Sequence, residues 1–226
     1  MKPTLLEPRD RLVLALDVGG LNEAVALARE LVPFFATAKV GIELYAEAGP
    51  DAFSIIHDLG FAVFADLKLH DIPNTVGRTA RVLGSSGVEF LNFHAAGGIE
   101  MMRAGIEGLR YGAESVGIPS PVALGVTVLT SSSDVSVFPE RLDAARVAGC
   151  DGVVCSALEV KQAIAAGLST MVPGVRLAGS DVDDQARVAT PAEAISNGAD
   201  WLVIGRTVTS AADPVAAAAA VLAEVS

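Results

Sequence analysis

The sequence predicts a (β/α)8 barrel forming one domain over residues 1–226, and three observations carry that expectation. Eight short apolar runs recur along the chain, separated in most cases by longer segments with helical periodicity. The runs are hydrophobic throughout rather than alternating, as in strands buried on both faces of a parallel sheet. A chain of 226 residues can also bury one large core, and α/β barrels of this size are commonly single domains. An open doubly wound sheet is the competing arrangement, but no G-x-G-x-x-G follows the first strand.

In chain order, the first strand is Leu12–Leu16 and its helix Leu21–Leu31. The second strand is Ala38–Ile42, followed by a helix over Leu44–Leu59. Phe61–Ala65 forms the third strand, which carries on through Leu67, and Thr75–Ser85 its helix. Phe90–Phe93 pairs with a helix over Ile99–Leu109, and Val122–Val128 with one over Pro139–Ala148. Gly152–Cys155 leads to Leu158–Ala166, and Thr170–Val172 to Pro191–Asn197. Trp201–Ile204 is the last strand, and Val215–Val225 a closing Ala-rich helix with Asp213 as N-cap ahead of Pro214.

Composition narrows the function classes. Half of the residues are hydrophobic and few are aromatic, so the core is mainly Ala, Val, Leu and Ile. A formal net charge of −11 argues against a general nucleic-acid or anionic-membrane binder, which needs a basic surface. An anionic substrate would have to be met by a few local cations. Met1–Asp10 is short, charged and carries two prolines, which does not read as a secretory signal. No apolar run reaches the ~20 residues of a membrane helix. Cys150 and Cys155 lack zinc-site spacing and read as reduced core thiols, so a cytoplasmic protein is expected.

The run Asp66-Leu67-Lys68-Leu69-His70-Asp71 carries the most chemistry. Residues two apart on a strand share a face, so Asp66 and Lys68 project together from the strand end, with Asp71 reaching back from the loop. Burying an ammonium between two carboxylates is poor value for stability, because desolvation can exceed the Coulombic gain. A proton donor in a charged scaffold is the better reading.

Other strand ends are polar too: Asp17 after the first, Lys39 in the second, His94 after the fourth, Thr127 and Thr130–Ser133 after the fifth. Asp17 could merely cap a turn, and His94 could be a satisfied core histidine. Their joint placement on one rim favours a site. Pro173-Gly174-Val175-Arg176 follows the seventh strand and Gly205-Arg206-Thr207 the eighth, where barrels often bind phosphate. Gly205 lets backbone approach closely, and Arg206 offers a planar fork for phosphate oxygens. The polar stretch Arg176–Thr190, with Gly179 and Gln185, is long enough for a lid.

Together these residues closely resemble the orotidine 5'-phosphate decarboxylase family from about Leu12 to Pro214. The matching pieces are Ala15-Leu16-Asp17, Lys39-Val40-Gly41 with Glu43-Leu44, and Asp66-Leu-Lys68-Leu-His-Asp71-Ile-Pro-Asn-Thr75. His94-Ala95 with Gly97-Gly98, Leu129-Thr130-Ser131, Pro173-Gly174-Val-Arg176, Asp184-Gln185 and Ile204-Gly205-Arg206 complete them. The resemblance implies decarboxylation of orotidine 5'-phosphate to uridine 5'-phosphate, without cofactor or metal. It implies that Asp17 and Lys39 bind the ribose hydroxyls, that Lys68 protonates C6, and that Asp66 lies beside the departing carboxylate. It also implies a homodimer, with Asp71 and Thr75 reaching the neighbouring site. Thr130 and Ser131 would face the pyrimidine, while Gln185, Gly205 and Arg206 hold the phosphate and Arg176 anchors the lid.

Two alternatives compete with this expectation, the first within the barrel class and the second of a different class. Metal-dependent sugar-phosphate decarboxylases share the Asp-x-Lys-x-x-Asp run, but they carry an acidic metal-binding residue where this chain has Lys39, which would repel a divalent ion. A catalytically silent scaffold would have no reason to keep the whole charged rim.

Overall fold

The computed structural model describes residues 6–132, 134–177 and 189–226. Eight parallel strands close into a barrel in sequence order. They are β1 (Leu12–Ala15), β2 (Thr37–Gly41), β3 (Ala62–Leu69), β4 (Phe90–His94), β5 (Val122–Val126), β6 (Gly152–Val154), β7 (Ser169–Val172) and β8 (Trp201–Ile204). Closure comes from β1 on β8, with Leu12, Val13 and Leu14 opposite Leu202, Val203 and Ile204.

The helices between them are α1 (Leu21–Leu31), α2 (Ile42–Ala48), α3 (Asp51–Asp58), α4 (Pro73–Ser85), α5 (Gly98–Ser115) and α6 (Phe138–Ala148). α7 (Val160–Ala165), α8 (Pro191–Ser196), α9 (Arg206–Thr209) and α10 (Pro214–Glu224) complete the set. The expected single helix over Leu44–Leu59 is two. Gly49 sits at φ +63 and Pro50 follows it, so the chain turns sharply and a new helix starts. The four-residue α9 was not foreseen, being too short to show periodicity. α10 starts as expected: the Asp213 carboxylate accepts the Ala216 N–H at 3.0 Å.

Strand residues sort by the two-residue period of the pleat. Leu12, Leu14, Leu16, Ala38, Val40, Val63, Ala65, Leu91 and Phe93 belong to the layer between barrel and helices. Val13, Ala15, Phe64, Phe90, Leu124, Met171, Trp201 and Val203 form a separate cluster inside the barrel. Three rings anchor that cluster edge to face, Phe64 to Phe90 at 6.2 Å and Phe90 to Trp201 at 5.1 Å between centroids. The barrel interior is therefore a packed plug on which a site can stand.

Acidic residues close the opposite end. Glu89, just before β4, accepts the Val63 N–H; Asp151, before β6, accepts that of Ala123; Asp200, before β8, accepts that of Thr170. Each carboxylate satisfies the N–H of the second residue of a neighbouring strand, a structural use of charge. Cys150 and Cys155 are buried thiols outside any disulfide, and burial pushes Cys150 up to about 12. Among the described residues no helix is long and apolar enough to cross a membrane.

Candidate active site

A cavity of about 380 Å³ opens at the C-terminal ends of the strands. The pleat delivers its charged wall. Inward positions on β1 run Val13, Ala15 and then Asp17; on β2 they include Lys39, and on β3 Phe64 and then Asp66. Phe64 thus forms part of the floor, and the next inward step on its strand is a carboxylate.

Asp17, Lys39, Asp66 and Lys68 form a row of alternating charge. Lys39 Nζ lies 2.7 Å from Asp17 Oδ1 and 3.3 Å from Asp66 Oδ2, and Lys68 Nζ lies 2.7 Å from Asp66 Oδ1. Burial falls away from the centre: side-chain exposure is 8% at Lys39 and 14% at Asp66, against 40% at Lys68 and 57% at Asp17. Burial acts most strongly on Asp66 and would raise its pKa. The charges of Lys39 and Lys68, with hydrogen bonds from Lys68 and Asn92, outweigh it and hold the carboxyl below its usual range. Lys39 mirrors this: burial would lower its pKa, but Asp66 and Asp17 together raise it above the ordinary lysine value. Gly41 makes room for the pair, since a Cβ there would stand 2.9 Å from Asp17 Oδ1 and 3.2 Å from Lys39 Nζ.

Asp66 and Lys68 do meet, but not by the regular alternation expected from the sequence. Ala65 pairs with Leu91 and Leu69 with Phe93, so Asp66, Leu67 and Lys68 together stand opposite Asn92 alone. At this bulge Lys68 takes φ +48, the one positive value among the described non-glycine residues. Such a conformation costs on the order of 1–3 kcal/mol and needs support from its surroundings. Asn92, fully buried, accepts the Lys68 backbone N–H at 2.7 Å and donates to Asp66 Oδ1 at 2.6 Å. Sequence reasoning passed over Asn92; its signal was an amide inside the apolar run Phe-Leu-Asn-Phe.

The far wall comes from the loops after β7 and β8. Gly174, Val175, Arg176, Gly205, Arg206 and Thr209 line the cavity there. Gly174 adopts φ +78, Arg176 is buried, and its N–H donates to Ala189 O at 3.0 Å. Thr207 Oγ1 donates to Val175 O at 3.3 Å, tying the two loops together. A Cβ at Gly205 would meet Ala15 at an ordinary 3.6 Å, so packing within the chain does not by itself demand glycine.

Other expected site residues fall elsewhere. Thr130 lines the cavity, whereas Ser131 is exposed and outside its lining. Thr127 is buried, with its hydroxyl donating to Val154 O at 3.0 Å. Within the chain Asp71 does not flank Lys68: both it and Thr75 are exposed, and its Oδ1 accepts the Ile72 N–H at 2.7 Å. The residue with a charge on either side is instead Lys39. His94 caps the turn after β4 by accepting the Ala96 N–H at 3.3 Å and stacks on His70. Burial, then the charges of Arg141, His70 and Lys68, lower its pKa. Gln185, Ser133 and most of the expected lid lie outside the described residues.

Known proteins resemble this chain over most of its length. The profile of the orotidine 5'-phosphate decarboxylase / HUMPS family covers residues 10–221. The chain is 44% identical to orotidine 5'-phosphate decarboxylase from Moorella thermoacetica, over 97% of this chain and 94% of that one. It is 46% identical to the protein of that name from Nitratidesulfovibrio vulgaris, over 94% and 96%. Among solved structures, orotidine 5'-phosphate decarboxylase from Lactobacillus acidophilus superposes with a TM-score of 0.81 at 35% identity, covering 96% of this chain and 99% of that one. With barrel, charged row and opposed glycine–arginine loops all in place, the chain belongs to the orotidine 5'-phosphate decarboxylase / HUMPS family.

Proposed function

We propose that this protein decarboxylates orotidine 5'-phosphate to uridine 5'-phosphate in pyrimidine biosynthesis, with Lys68 as proton donor and no cofactor. One observation carries the reading: the row Asp17–Lys39–Asp66–Lys68 faces the loops of Arg176, Gly205 and Arg206 across a single cavity. The substrate would lie between them. Its 5'-phosphate meets Gly205, Arg206 and Gln185, its ribose hydroxyls meet Asp17 and Lys39, and its pyrimidine reaches Lys68, with Thr130 and Ser131 nearby.

The C6–carboxylate bond breaks and its electron pair stays on C6 as CO2 leaves. The ring cannot readily delocalise an electron pair held in the plane, so stabilisation falls to a fixed cation. Lys68 fills that role and then transfers a proton to the same carbon. Both oxygens of Asp66 are already engaged, by Lys68 and Asn92 on one and Lys39 on the other, so the row is preorganised before substrate arrives. That arrangement favours ammonium chemistry over a metal-bound enediolate, since a divalent ion would compete with two lysines for the same carboxylate. Phosphate binding, with Arg176 anchoring a closing segment, supplies remote binding energy for the transition state. Asp71 and Thr75, exposed within one chain, would complete the neighbouring site of a homodimer.

The test is loss of orotidine 5'-phosphate absorbance on incubation with purified protein. Turnover is expected, unchanged by chelator. Lys68→Ala should keep the fold and phosphate binding while losing more than about 10³-fold in kcat, the scale of a group acting as both electrostatic and acid catalyst. Near-normal kcat in that variant, or rescue of a chelated enzyme by magnesium, would overturn the assignment.

A further inference from the structure

We infer that Asn92 is a positioning residue that holds Lys68 in its left-handed backbone conformation and clamps Asp66 against its ammonium. Its effect on turnover rests on the decarboxylase reading; the conformational part does not.

The bulge makes the argument. With three residues of β3 opposite one of β4, the Lys68 N–H sits where the ladder register is broken. The Asn92 carbonyl takes that N–H at 2.7 Å, while its NH2 group donates to Asp66 Oδ1 at 2.6 Å. Asp66 Oδ1 is the same oxygen that receives Lys68 Nζ at 2.7 Å. One buried amide thus touches both the backbone and the counter-ion of a single lysine. Its orientation is determined, because a flipped amide would set donor against donor and oxygen against carboxylate. Only a group with both an acceptor and a donor at this reach serves. An ionised carboxylate offers no donor and would repel Asp66. If the amide is lost, Lys68 can relax toward the ordinary extended region, which swings its Cβ and carries Nζ away from the cavity.

The readouts of two variants decide it, after wild-type turnover of orotidine 5'-phosphate has been measured. Asn92→Ala should lose about 10²-fold in kcat, the cost of misplacing a catalytic group by roughly an ångström. Its affinity for uridine 5'-phosphate should stay within about threefold, since the phosphate and ribose contacts are untouched. Asn92→Asp, nearly isosteric, should be impaired at alkaline pH and recover as pH falls, because the introduced carboxyl regains a donor once protonated. A crystal structure of Asn92→Ala should show Lys68 out of the left-handed region. The inference is overturned by an Asn92→Ala kcat within about threefold of wild type, or by equal losses of kcat and nucleotide affinity. It is overturned equally by an Asn92→Asp pH profile parallel to wild type, which also decides the matter if Asn92→Ala does not fold. Retention of a left-handed Lys68 in the Asn92→Ala crystal would refute the conformational part on its own. Absence of wild-type turnover would instead sink the decarboxylase reading, leaving the crystal structure to judge Asn92.

Discussion

Asp66 receives two ammonium groups and an amide on its two oxygens, and its energetics set those of the charged row. The Lys39–Asp17 contact ends on a mostly exposed carboxylate and contributes at most about 1 kcal/mol. The Lys39–Asp66 pair is largely buried, so breaking it leaves an uncompensated charge; such losses reach about 3–5 kcal/mol. Lys68 and Asn92 still hold Asp66 in a Lys39→Met variant, which places that variant's cost at the low end. The pH dependence follows in sign. Asp66 has its folded pKa below the ordinary 3.8, so its contribution is present above that pH and is lost as pH falls through the folded value. Lys39 has its folded pKa above 10.5, so its contribution is present below that pH and is lost as pH rises through the folded value. Urea unfolding across pH should therefore show a plateau from this row between about pH 5 and 9. In Lys39→Met the acid loss should begin at higher pH, because Asp66 keeps its burial and loses a cation. An acid limb at the wild-type position would refute the coupling.

At the scale of elements, α4 and α5 touch backbone to backbone. A Cβ on Gly84 would collide with Leu109 O, one on Gly108 with Gly77 O, and one on Gly112 with Arg81 O. Arg81 also lies over the Tyr111 ring at 4.4 Å, across the same seam. Gly112→Ala sets two effects against each other. Alanine gains about 1 kcal/mol of helix propensity, while overpacking costs about 1–3 kcal/mol. The obstruction is a backbone carbonyl, which cannot rotate aside, so the variant should unfold at lower denaturant with kcat unchanged. A raised midpoint would mean that the seam opens freely. Elements were legible where length and pattern agreed: α1 falls on Leu21–Leu31 as expected. The break at Gly49-Pro50 was written in the sequence as a Gly-Pro step but was overridden by the apolar periodicity on either side. The β3 bulge had no local signal, because it depends on how many residues of β4 face it.

Across the whole molecule, charge serves different ends at the two mouths of the barrel. Glu89, Asp151 and Asp200 serve strand N–H groups at one end, while Lys39, Lys68, Arg176 and Arg206 line the cavity at the other. An acidic protein can thus hold an anionic nucleotide with a few local cations. Asp71 and Thr75 stand exposed around the start of α4, open to the second chain of the proposed homodimer. Mixing Lys68→Ala with Asp71→Ala chains should regenerate one intact site per mixed dimer, so activity rises well above either parent. No rescue would place Asp71 in its own chain's site. The sequence by itself determined the barrel, the strands and the charged residues at their ends, because burial on both faces and the two-residue pleat are local rules. It also named Arg176, Gly205 and Arg206, which line the cavity after β7 and β8, since their identities travel with the strand ends that carry them. Only the tertiary structure decided that within one chain Lys39 is the doubly flanked ammonium, that Lys68 sits on a bulge, and that Asn92 holds it there. Those facts depend on register between strands distant in the chain, and no local pattern encodes which residue will stand opposite which.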